Sequence, residues 1–132
     1  MHKPFLTFGA FFGLLSIILG AFGAHALQDI VIDEKILHGF QTGVQYQMYH
    51  ALALLATGVL YEKFPAKLLR WAGNLFISGI ILFSGSLYTL TALNGKGGNL
   101  AKIIGPVTPI GGILFIVGWL FLVIVFLRNK NS

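Results

Sequence analysis

The sequence predicts an all-α integral membrane protein, a bundle of four transmembrane helices with both termini in the cytoplasm. Composition is the first reason: 56% of the 132 residues are hydrophobic and only 10% are charged, whereas about a quarter of the residues in a soluble domain are charged. The other two reasons are four long uncharged runs and an uneven distribution of Lys and Arg. The mean hydropathy of +0.83 excludes a cytosolic enzyme and a disordered chain. The absence of cysteine excludes thiol catalysis and a disulfide scaffold.

The uncharged runs set the predicted spans. Each run is longer than the roughly 20 residues that a helix needs to cross the hydrocarbon core. Helices are favoured because backbone groups in lipid must be paired within their own segment, and because the runs lack the alternation of membrane-barrel strands. The predicted spans are residues 5–27, 40–61, 71–93 and 106–127 of a single domain over residues 1–132.

The first run has an alternative interpretation as a signal peptide. Residues 24–26 have the A-x-A pattern of a cleavage site. However, the run from Phe5 to Ala24 is longer than the usual apolar region of roughly 7–15 residues, and only Lys3 and the amino terminus supply positive charge before it. We therefore expect the segment to be retained as a span.

Basic residues near the span ends predict the orientation of the bundle. Those at the amino terminus, the second connection and the carboxyl terminus are Lys3, Lys63, Lys67, Arg70, Arg128 and Lys130, whereas the other side has only Lys35, Lys96 and Lys102. Because cytoplasmic loops carry an excess of Lys and Arg, both termini are predicted to be cytoplasmic. The net charge of +5 is spread along the chain, which fits an anionic membrane surface and predicts no nucleic-acid partner.

The connections between the spans are short and carry few signals. Residues 28–38 are expected to form either a short interfacial helix or the first turns of a long second helix. Residues 94–99 are predicted to form a turn, and Pro106 and Pro109 to open the fourth helix. The two halves show no usable internal repeat, so an inverted-repeat transporter is not supported.

Small residues recur every three or four positions along the first span, on one face of a helix. They are Gly9, Gly13, Ser16, Gly20 and Gly23. Helices in lipid associate through close backbone packing, and such a stripe is typical of the interface. We therefore expect this face to pack against another helix of the chain or against a second copy.

His50 is the strongest candidate for a functional residue. If the second span enters lipid near Phe40, a rise of 1.5 Å per residue places His50 about 15 Å deep, near the midplane. Ionisable residues at that depth usually face the bundle interior. Tyr46 lies one turn earlier on the same face, so we expect the imidazole to pair with the Tyr46 hydroxyl or with a polar group on the third predicted span. Gln45 and Tyr49 form a second such pair on the neighbouring face. Two interpretations stay open: a neutral histidine that bridges helices, or a group that handles a proton or ligand.

No metal, cofactor or catalytic site is expected. Haem ligation would need a second histidine at the depth of His50, but His2, His25 and His38 lie near the span ends. A zinc site made from His25, Asp29 and His38 lacks ligand-like spacing. The sequence has no phosphate loop, paired carboxylates or Ser-His-Asp arrangement, and no carboxylate lies inside a span.

Short motifs in all four spans resemble one known family, the domain of unknown function 423. The motifs are GAFGAH at residues 20–25, QYQMYHAL at 45–52, FSGSLY at 83–88, and TPIGG at 108–112 with GW at 118–119. Ala26 departs from the pattern, because family members commonly place glycine after the histidine. The resemblance covers essentially the whole chain, and the mitochondrial transmembrane protein 256 is similar. It implies a small multi-pass protein of the bacterial inner membrane with four helices and no established activity.

The motifs and the polar positions together define the candidate site residues. The candidate functional residues are His25, Gln45, Tyr46, Tyr49, His50, Ser84, Ser86, Tyr88 and Thr108. The candidate packing residues are Gly9, Gly13, Ser16, Gly20, Gly23, Gly111 and Gly112.

Three classes of function remain open. We expect a structural, accessory or lipid-interacting membrane protein, whose partners are membrane lipids and a second copy bound through the Gly-rich faces. The alternative is a small transporter or channel that uses the polar residues around Tyr46 and His50. A membrane enzyme is the least favoured class, because no catalytic constellation is present.

Overall fold

The computed structural model describes residues 1–64 and 66–128, and helices account for most of them. These residues form seven α-helices and one π-helical segment, so the prediction of an all-α fold is confirmed. In chain order the helices are α1 (Lys3–Ala24), α2 (Leu27–Ile30), α3 (Glu34–Leu60), α4 (Lys67–Gly79), the π-helical segment (Ile80–Ser84), α5 (Gly85–Leu93), α6 (Asn99–Ile104) and α7 (Val107–Arg128).

The helix ends have local causes in the sequence. At the start of α1, Nδ1 of His2 accepts a hydrogen bond from the Phe5 amide at 3.3 Å. At the start of α3, a carboxylate oxygen of Asp33 accepts from the Lys35 amide at 2.9 Å, which satisfies one of the free donors of the first turn. Asn94 ends α5 in the left-handed conformation, with φ of 50°, as is common at helix C-termini.

Three helical stretches of the described residues are long and apolar enough to cross a membrane. They are Lys3–Ala24, Lys67–Leu93 and Asn99–Arg128. The helix α3 is also long, with 27 residues, but it contains Gln45, Gln47 and His50 and is less apolar than these three.

The observed helix ends differ from the predicted spans in several places. The first span was expected to reach residue 27, but α1 ends at Ala24 and Leu27 begins the separate helix α2. Both alternatives for residues 28–38 occur, since α2 is short and α3 begins early, at Glu34. The third predicted span contains the π-helical segment within one continuous helical stretch, and α6 was not predicted.

The bundle is built around α3. The helix α1 packs antiparallel against α3, α7 packs mainly against α4 and the π-helical segment, and α3 also contacts α4 and α5. The His2 amide donates to the Gly58 carbonyl at 3.0 Å, and the rings of Phe64 and Phe126 lie 5.9 Å apart. The amino terminus, the α3–α4 connection and the end of α7 therefore share one end of the bundle, which we call the terminal end.

Aromatic side chains fill the centre, and glycines let the helices approach them. Phe5 and Phe76 are almost completely buried. A Cβ added at Gly73 would overlap the ring of Phe5. A Cβ added at Gly111 would overlap the Phe83 backbone nitrogen, so α7 meets the π-helical segment at backbone contact. Gly111, one of the candidate packing residues, lies at this contact.

The predicted stripe on α1 is only partly an intrachain packing face. Gly9, Ser16 and Gly23 are buried, and a Cβ at Gly9 or Gly23 would lie 2.9 Å from Leu55 Cγ or 2.6 Å from Phe40 Cε1. A Cβ at Gly20 would make an ordinary contact, 3.5 Å from Val44 Cγ1. The same holds for the candidate packing residue Gly112 of α7, where a Cβ would lie 3.8 Å from Phe83 Cδ2. Close approach is therefore confined to part of the predicted set.

Gly13 has no close neighbour within the described chain. A Cβ added there would meet no atom of the described chain within 4 Å. The helices α1 and α3 make close contacts at Gly9 and Gly23, whereas Gly20 lines a groove between them. Gly13 is therefore not an intrachain packing residue.

Candidate functional site

Polar side chains from α3, α5, α7 and the π-helical segment meet inside the bundle. We call this set the polar seam: Gln47, His50, Ser84, Ser86, Tyr88, Thr108 and Trp119. Gln47 and His50 are three residues apart on α3, and Ser84 and Tyr88 are four apart, so helical spacing presents each pair on one face. The predicted candidates His50, Ser84, Ser86, Tyr88 and Thr108 all belong to the polar seam.

His50 bonds through both ring nitrogens. The indole Nε1 of Trp119 donates to His50 Nε2 at 2.9 Å, and His50 Nδ1 lies 2.6 Å from the Tyr46 carbonyl oxygen. Because an indole N–H only donates, Nε2 must accept, and the ring proton must sit on Nδ1, where it donates to the carbonyl. An imidazolium would carry a proton on Nε2 and would lose the bond from Trp119. The geometry thus requires the neutral imidazole with its proton on Nδ1.

These partners correct the predicted hydroxyl–imidazole contact. Tyr46 engages His50 through its backbone carbonyl, and its ring stacks on Phe83, with centroids 4.9 Å apart and an interplanar angle of 22°. The side-chain partner of His50 comes from α7 rather than from α3 or the third predicted span. The prediction failed because residue spacing within one helix carries no information on what a neighbouring helix presents.

Aromatic rings enclose His50. Its imidazole stacks on Phe115, with centroids 3.6 Å apart and an interplanar angle of 11°. The rings of Phe76 and Trp119 lie 5.5 Å and 5.9 Å from it, and His50 is only 5% exposed. In such a low-dielectric environment the two hydrogen bonds are strong, and leaving either nitrogen unpaired would be costly.

Gln47 links three helices. Its Nε2 donates to the Phe12 carbonyl of α1 at 2.8 Å, and its Oε1 accepts from the Tyr88 hydroxyl of α5 at 2.6 Å. Ser16 Oγ donates to the same Phe12 carbonyl at 2.8 Å. A single amide therefore satisfies polar groups of both neighbours while its own side chain stays 2% exposed.

The serines near the π-helical segment form the remaining contacts of the polar seam. Ser84 Oγ donates to the Gly43 carbonyl of α3 at 2.6 Å. Ser86 Oγ bonds the Thr108 hydroxyl of α7 and the Phe83 carbonyl. A π-helical turn inserts one extra residue per turn and is often found at functional sites. Here Ser84, its last residue, bonds to α3, and Ser86, two residues later in α5, bonds to α7.

Four predicted candidates lie outside the polar seam. Gln45, Tyr46 and Tyr49 have exposed side chains on α3, with Tyr46 at 40% and Tyr49 at 54%. His25 is exposed at the end of α1. The rings of Tyr46 and Tyr49 lie 5.8 Å apart on the surface that would face lipid.

Sequence reasoning missed Gln47 and Trp119 as site residues. Both fall inside motifs that the sequence displays, at residues 45–52 and 118–119. Gln47 lies one turn before Ala51 and three residues from His50, on the face that is buried. The available signal was that a polar side chain near the middle of a span needs a partner.

The polar seam is closed within the chain. Every buried side-chain nitrogen or oxygen of the described residues has a hydrogen-bond partner. Those residues also contain no group of three His, Asp or Glu placed to hold a metal ion. This arrangement can hold α1, α3, α5 and α7 in fixed positions through hydrogen bonds between them.

Comparisons with known proteins agree on a family. A family model with the description Protein of unknown function (DUF423) matches residues 19–112. The UPF0382 membrane protein YwdK of Bacillus subtilis (strain 168) is 43% identical over 123 residues, covering 92% of this chain and 94% of that protein. A UPF0382 membrane protein of Haemophilus influenzae is 37% identical over 131 residues, with 99% of each chain covered. The UPF0382 membrane protein C1782.12c of Schizosaccharomyces pombe is 45% identical over 109 residues, covering 81% and 87%. No solved structure matches.

Proposed function

The chain belongs to the family described as Protein of unknown function (DUF423), and from this premise we propose a multi-pass inner-membrane protein with an accessory, lipid-interacting role. The membrane location follows from the relatives, which are named membrane proteins, and from the apolar helices. The proposal includes no catalytic step.

We propose that α3 is the fourth span. The amino terminus and the end of α7 share the terminal end of the bundle, which requires an even number of crossings. Three apolar stretches and α3 supply that number. The polar groups of Gln47 and His50 are bonded inside the bundle, so burying α3 in lipid leaves neither of them unpaired.

The terminal end is proposed to be cytoplasmic because of its charge. Among the described residues it carries Lys3, Lys63, Lys67, Arg70 and Arg128, against three lysines at the opposite end. Lys130, which the sequence adds to the same side, lies outside the described residues. This excess is the pattern of cytoplasmic connections.

The accessory role is inferred from the polar seam, whose buried polar atoms all have hydrogen-bond partners within the described residues. A transport path needs polar groups that exchange partners with water or a substrate. Here Gln47 and Ser84 donate to carbonyls of neighbouring helices, and His50 accepts from Trp119 of α7. Directional bonds between buried polar groups hold helices in one arrangement. We infer that the bundle is a rigid unit whose interactions are made by its outer surface.

A second copy of the chain is the proposed protein partner. A groove of about 460 Å³ runs between α1 and α3, lined by Ser16, Ile17, Gly20, Ala21, Val44, Gln45, Met48 and Tyr49. Gln45 is exposed there, near the middle of the proposed span, and no described residue bonds its amide. Lipid tails offer no hydrogen-bonding group, whereas Gln45 of a second copy does. Gly13 lies one helical turn before Ile17 of the groove, and a Cβ added there would meet no described atom within 4 Å, which leaves room for a close helix.

Thiol accessibility in native membranes tests the accessory role. The chain has no cysteine, so Ser84→Cys and Thr108→Cys each introduce a single thiol into the polar seam. We expect a water-soluble thiol reagent to leave both unlabelled in intact membranes and to label both after denaturation in SDS. Lys96→Cys, in an exposed connection, is the matched control that labels without denaturation.

Labelling of Ser84→Cys at the rate of Lys96→Cys would contradict the proposal. Water would then reach the polar seam, and the small transporter or channel becomes the better interpretation. A variant that migrates as an aggregate in mild detergent is replaced by Ser86→Cys, which lies on the same side of the polar seam.

A further inference from the structure

A cavity at the terminal end combines positive charge with an apolar floor. It measures about 460 Å³ and is lined by Lys63, Phe64, Ala66, Lys67, Leu68, Val125 and Arg128. We call it the basic pocket. Its cations come from three different places in the chain: the α3–α4 connection, the first turn of α4 and the last turn of α7. The polar seam contributes no residue to it.

The charge of the basic pocket is uncompensated among the described residues. Its lining contains three cations and no carboxylate. Glu62, the one acidic residue of the α3–α4 connection, lies 4.0 Å from the amino group of Met1, which is the only ion pair within residues 1–64 and 66–128. A second depression of about 200 Å³ adjoins the basic pocket at Lys67 and adds Arg70 and Trp71.

The start of α4 adds to the positive potential. Ala66 precedes this helix of 13 residues and provides no side-chain cap. Free amide groups and the positive end of the helix dipole therefore face the same connection as Lys67. Backbone amides at a helix start are well suited to a phosphate oxygen when cations lie beside them.

The floor of the basic pocket indicates that its ligand also has hydrocarbon tails. Phe64, Leu68 and Val125 are the apolar part of the lining, and they lie where α4 and α7 pass from the connection into the proposed span. A free phosphate would leave this apolar surface in contact with water. A lipid places its phosphate among the cations and its tails along the helices.

We propose that the basic pocket binds the phosphate headgroup of an anionic membrane lipid. Lys63, Lys67 and Arg128 contact the phosphate, and Phe64, Leu68 and Val125 contact the first carbons of the tails. The inference deepens the lipid-interacting role proposed above and depends on insertion of α4 and α7, but not on the closed polar seam.

Native mass spectrometry of the full chain in gentle detergent tests this site. The probes are phosphatidylglycerol and phosphatidylcholine of equal chain length, added in a titration. We expect tighter binding of phosphatidylglycerol, and a loss of at least tenfold in its affinity for the double variant Lys67→Gln, Arg128→Gln. The magnitude follows from a loss of roughly fivefold for each cation removed near a headgroup.

Lys96→Gln, Lys102→Gln is the matched control, because it removes the same charge from the opposite end of the chain. Its phosphatidylglycerol affinity is expected to change less than twofold. An equal loss in both double variants would overturn the proposal, since attraction would then depend on net charge alone. If the pocket variant aggregates, the single variants Lys67→Gln and Arg128→Gln are measured, with about fivefold expected for each.

Two further binding measurements distinguish a lipid ligand from free phosphate. Inorganic phosphate is expected not to displace phosphatidylglycerol, and a dihexanoyl analogue with the same headgroup is expected to bind much more weakly. Displacement by inorganic phosphate, or equal affinity of the short-chain analogue, would overturn the lipid assignment. Neither result bears on thiol accessibility in the polar seam, so the failure of this inference and that of the accessory role are distinguishable.

Discussion

His50 shows how a single ionisable side chain can be held inside an apolar bundle. Trp119 offers only a donor and the Tyr46 carbonyl only an acceptor, so the two together select one neutral tautomer of the ring. The stack on Phe115 covers one face of the imidazole. A proton on Nε2 would face the indole N–H of Trp119, so Trp119 would have to move. Protonation of His50 would therefore disturb the packing of α7.

Trp119→Phe is expected to destabilise the protein by about 0.5–2 kcal/mol. The substitution keeps an aromatic ring but removes the donor, and it leaves His50 Nε2 as a buried acceptor without a partner. The measurement is the free energy of unfolding in SDS titrations from mild detergent. Trp71→Phe is the matched control, because the Trp71 side chain is 52% exposed and its replacement should change stability by less than about 0.5 kcal/mol. Equal effects of the two substitutions would show that the Trp119 bond contributes nothing measurable.

Gln47 and Tyr88 are expected to be energetically coupled. A double-mutant cycle with Gln47→Leu and Tyr88→Phe should give a coupling free energy of about 1 kcal/mol, since each single variant already breaks the shared bond. Tyr49→Phe serves as the control, because Tyr49 lies on the outer surface. Strict additivity of the Gln47 and Tyr88 effects would contradict the bond.

At the scale of elements, close packing depends on which glycine meets which neighbour. Gly111 of α7 faces the backbone of the π-helical segment, whereas Gly13 of α1 faces open space. Both glycines occur in a small-residue pattern of a long apolar helix. A small-residue pattern shows that a neighbouring helix could approach this face closely. Whether a helix lies there depends on how the bundle is packed.

Gly111→Ala is expected to destabilise the bundle by about 1–3 kcal/mol, because the new methyl group would overlap the Phe83 backbone and α7 must shift. Gly13→Ala is the matched substitution in α1, and its effect on the unfolding free energy should stay within about 0.5 kcal/mol. Similar losses at both positions would mean that Gly13 is also packed tightly within one chain.

Gly13→Leu is expected to weaken pairing of two copies without unfolding either. A leucine fills the space that the neighbouring copy would occupy beside the α1–α3 groove. Pairing is measured by energy transfer between donor-labelled and acceptor-labelled chains in vesicles, with Gly112→Leu on α7 as the comparison. Unchanged transfer in Gly13→Leu, together with an intact fold, would exclude this face as the interface.

At the scale of the whole molecule, the two ends of the bundle differ in charge. The terminal end gathers the α3–α4 connection and the end of α7 with most of the described basic residues. The opposite end is held by a contact from Asn94 Nδ2 to the Ile30 carbonyl at 3.4 Å. The basic pocket lies at the more basic end, which is the end proposed to face the cytoplasm.

Both termini are expected to be cytoplasmic. A reporter active only in the cytoplasm should be active when fused after Ser132, and a thiol at Lys96→Cys should label from outside intact cells. Lys63→Cys should label only after the membrane is made permeable, because it lies at the terminal end. A periplasm-active reporter after Ser132 would reverse the orientation, and opposite locations for the two termini would remove α3 as a span.

The sequence by itself determined the class of the protein. Hydrophobic runs, the scarcity of charge and the motifs identify an all-α membrane protein of its family, because transfer into lipid depends on composition along each segment. It also identified His50, Ser84, Ser86, Tyr88 and Thr108 as polar positions of interest. The cap that Asp33 provides at the start of α3 is local in sequence, because its partner is the Lys35 amide two residues later, but it was not predicted.

Only the tertiary structure decided which polar groups meet. The bonds from Trp119 to His50 and from Tyr88 to Gln47 join residues 69 and 41 positions apart, and no periodicity within one helix predicts such pairs. The open space beside Gly13 likewise depends on how α1 lies on α3. The physical reason is that membrane insertion is a property of each segment, whereas helix packing and hydrogen bonding depend on the surfaces that neighbouring segments present.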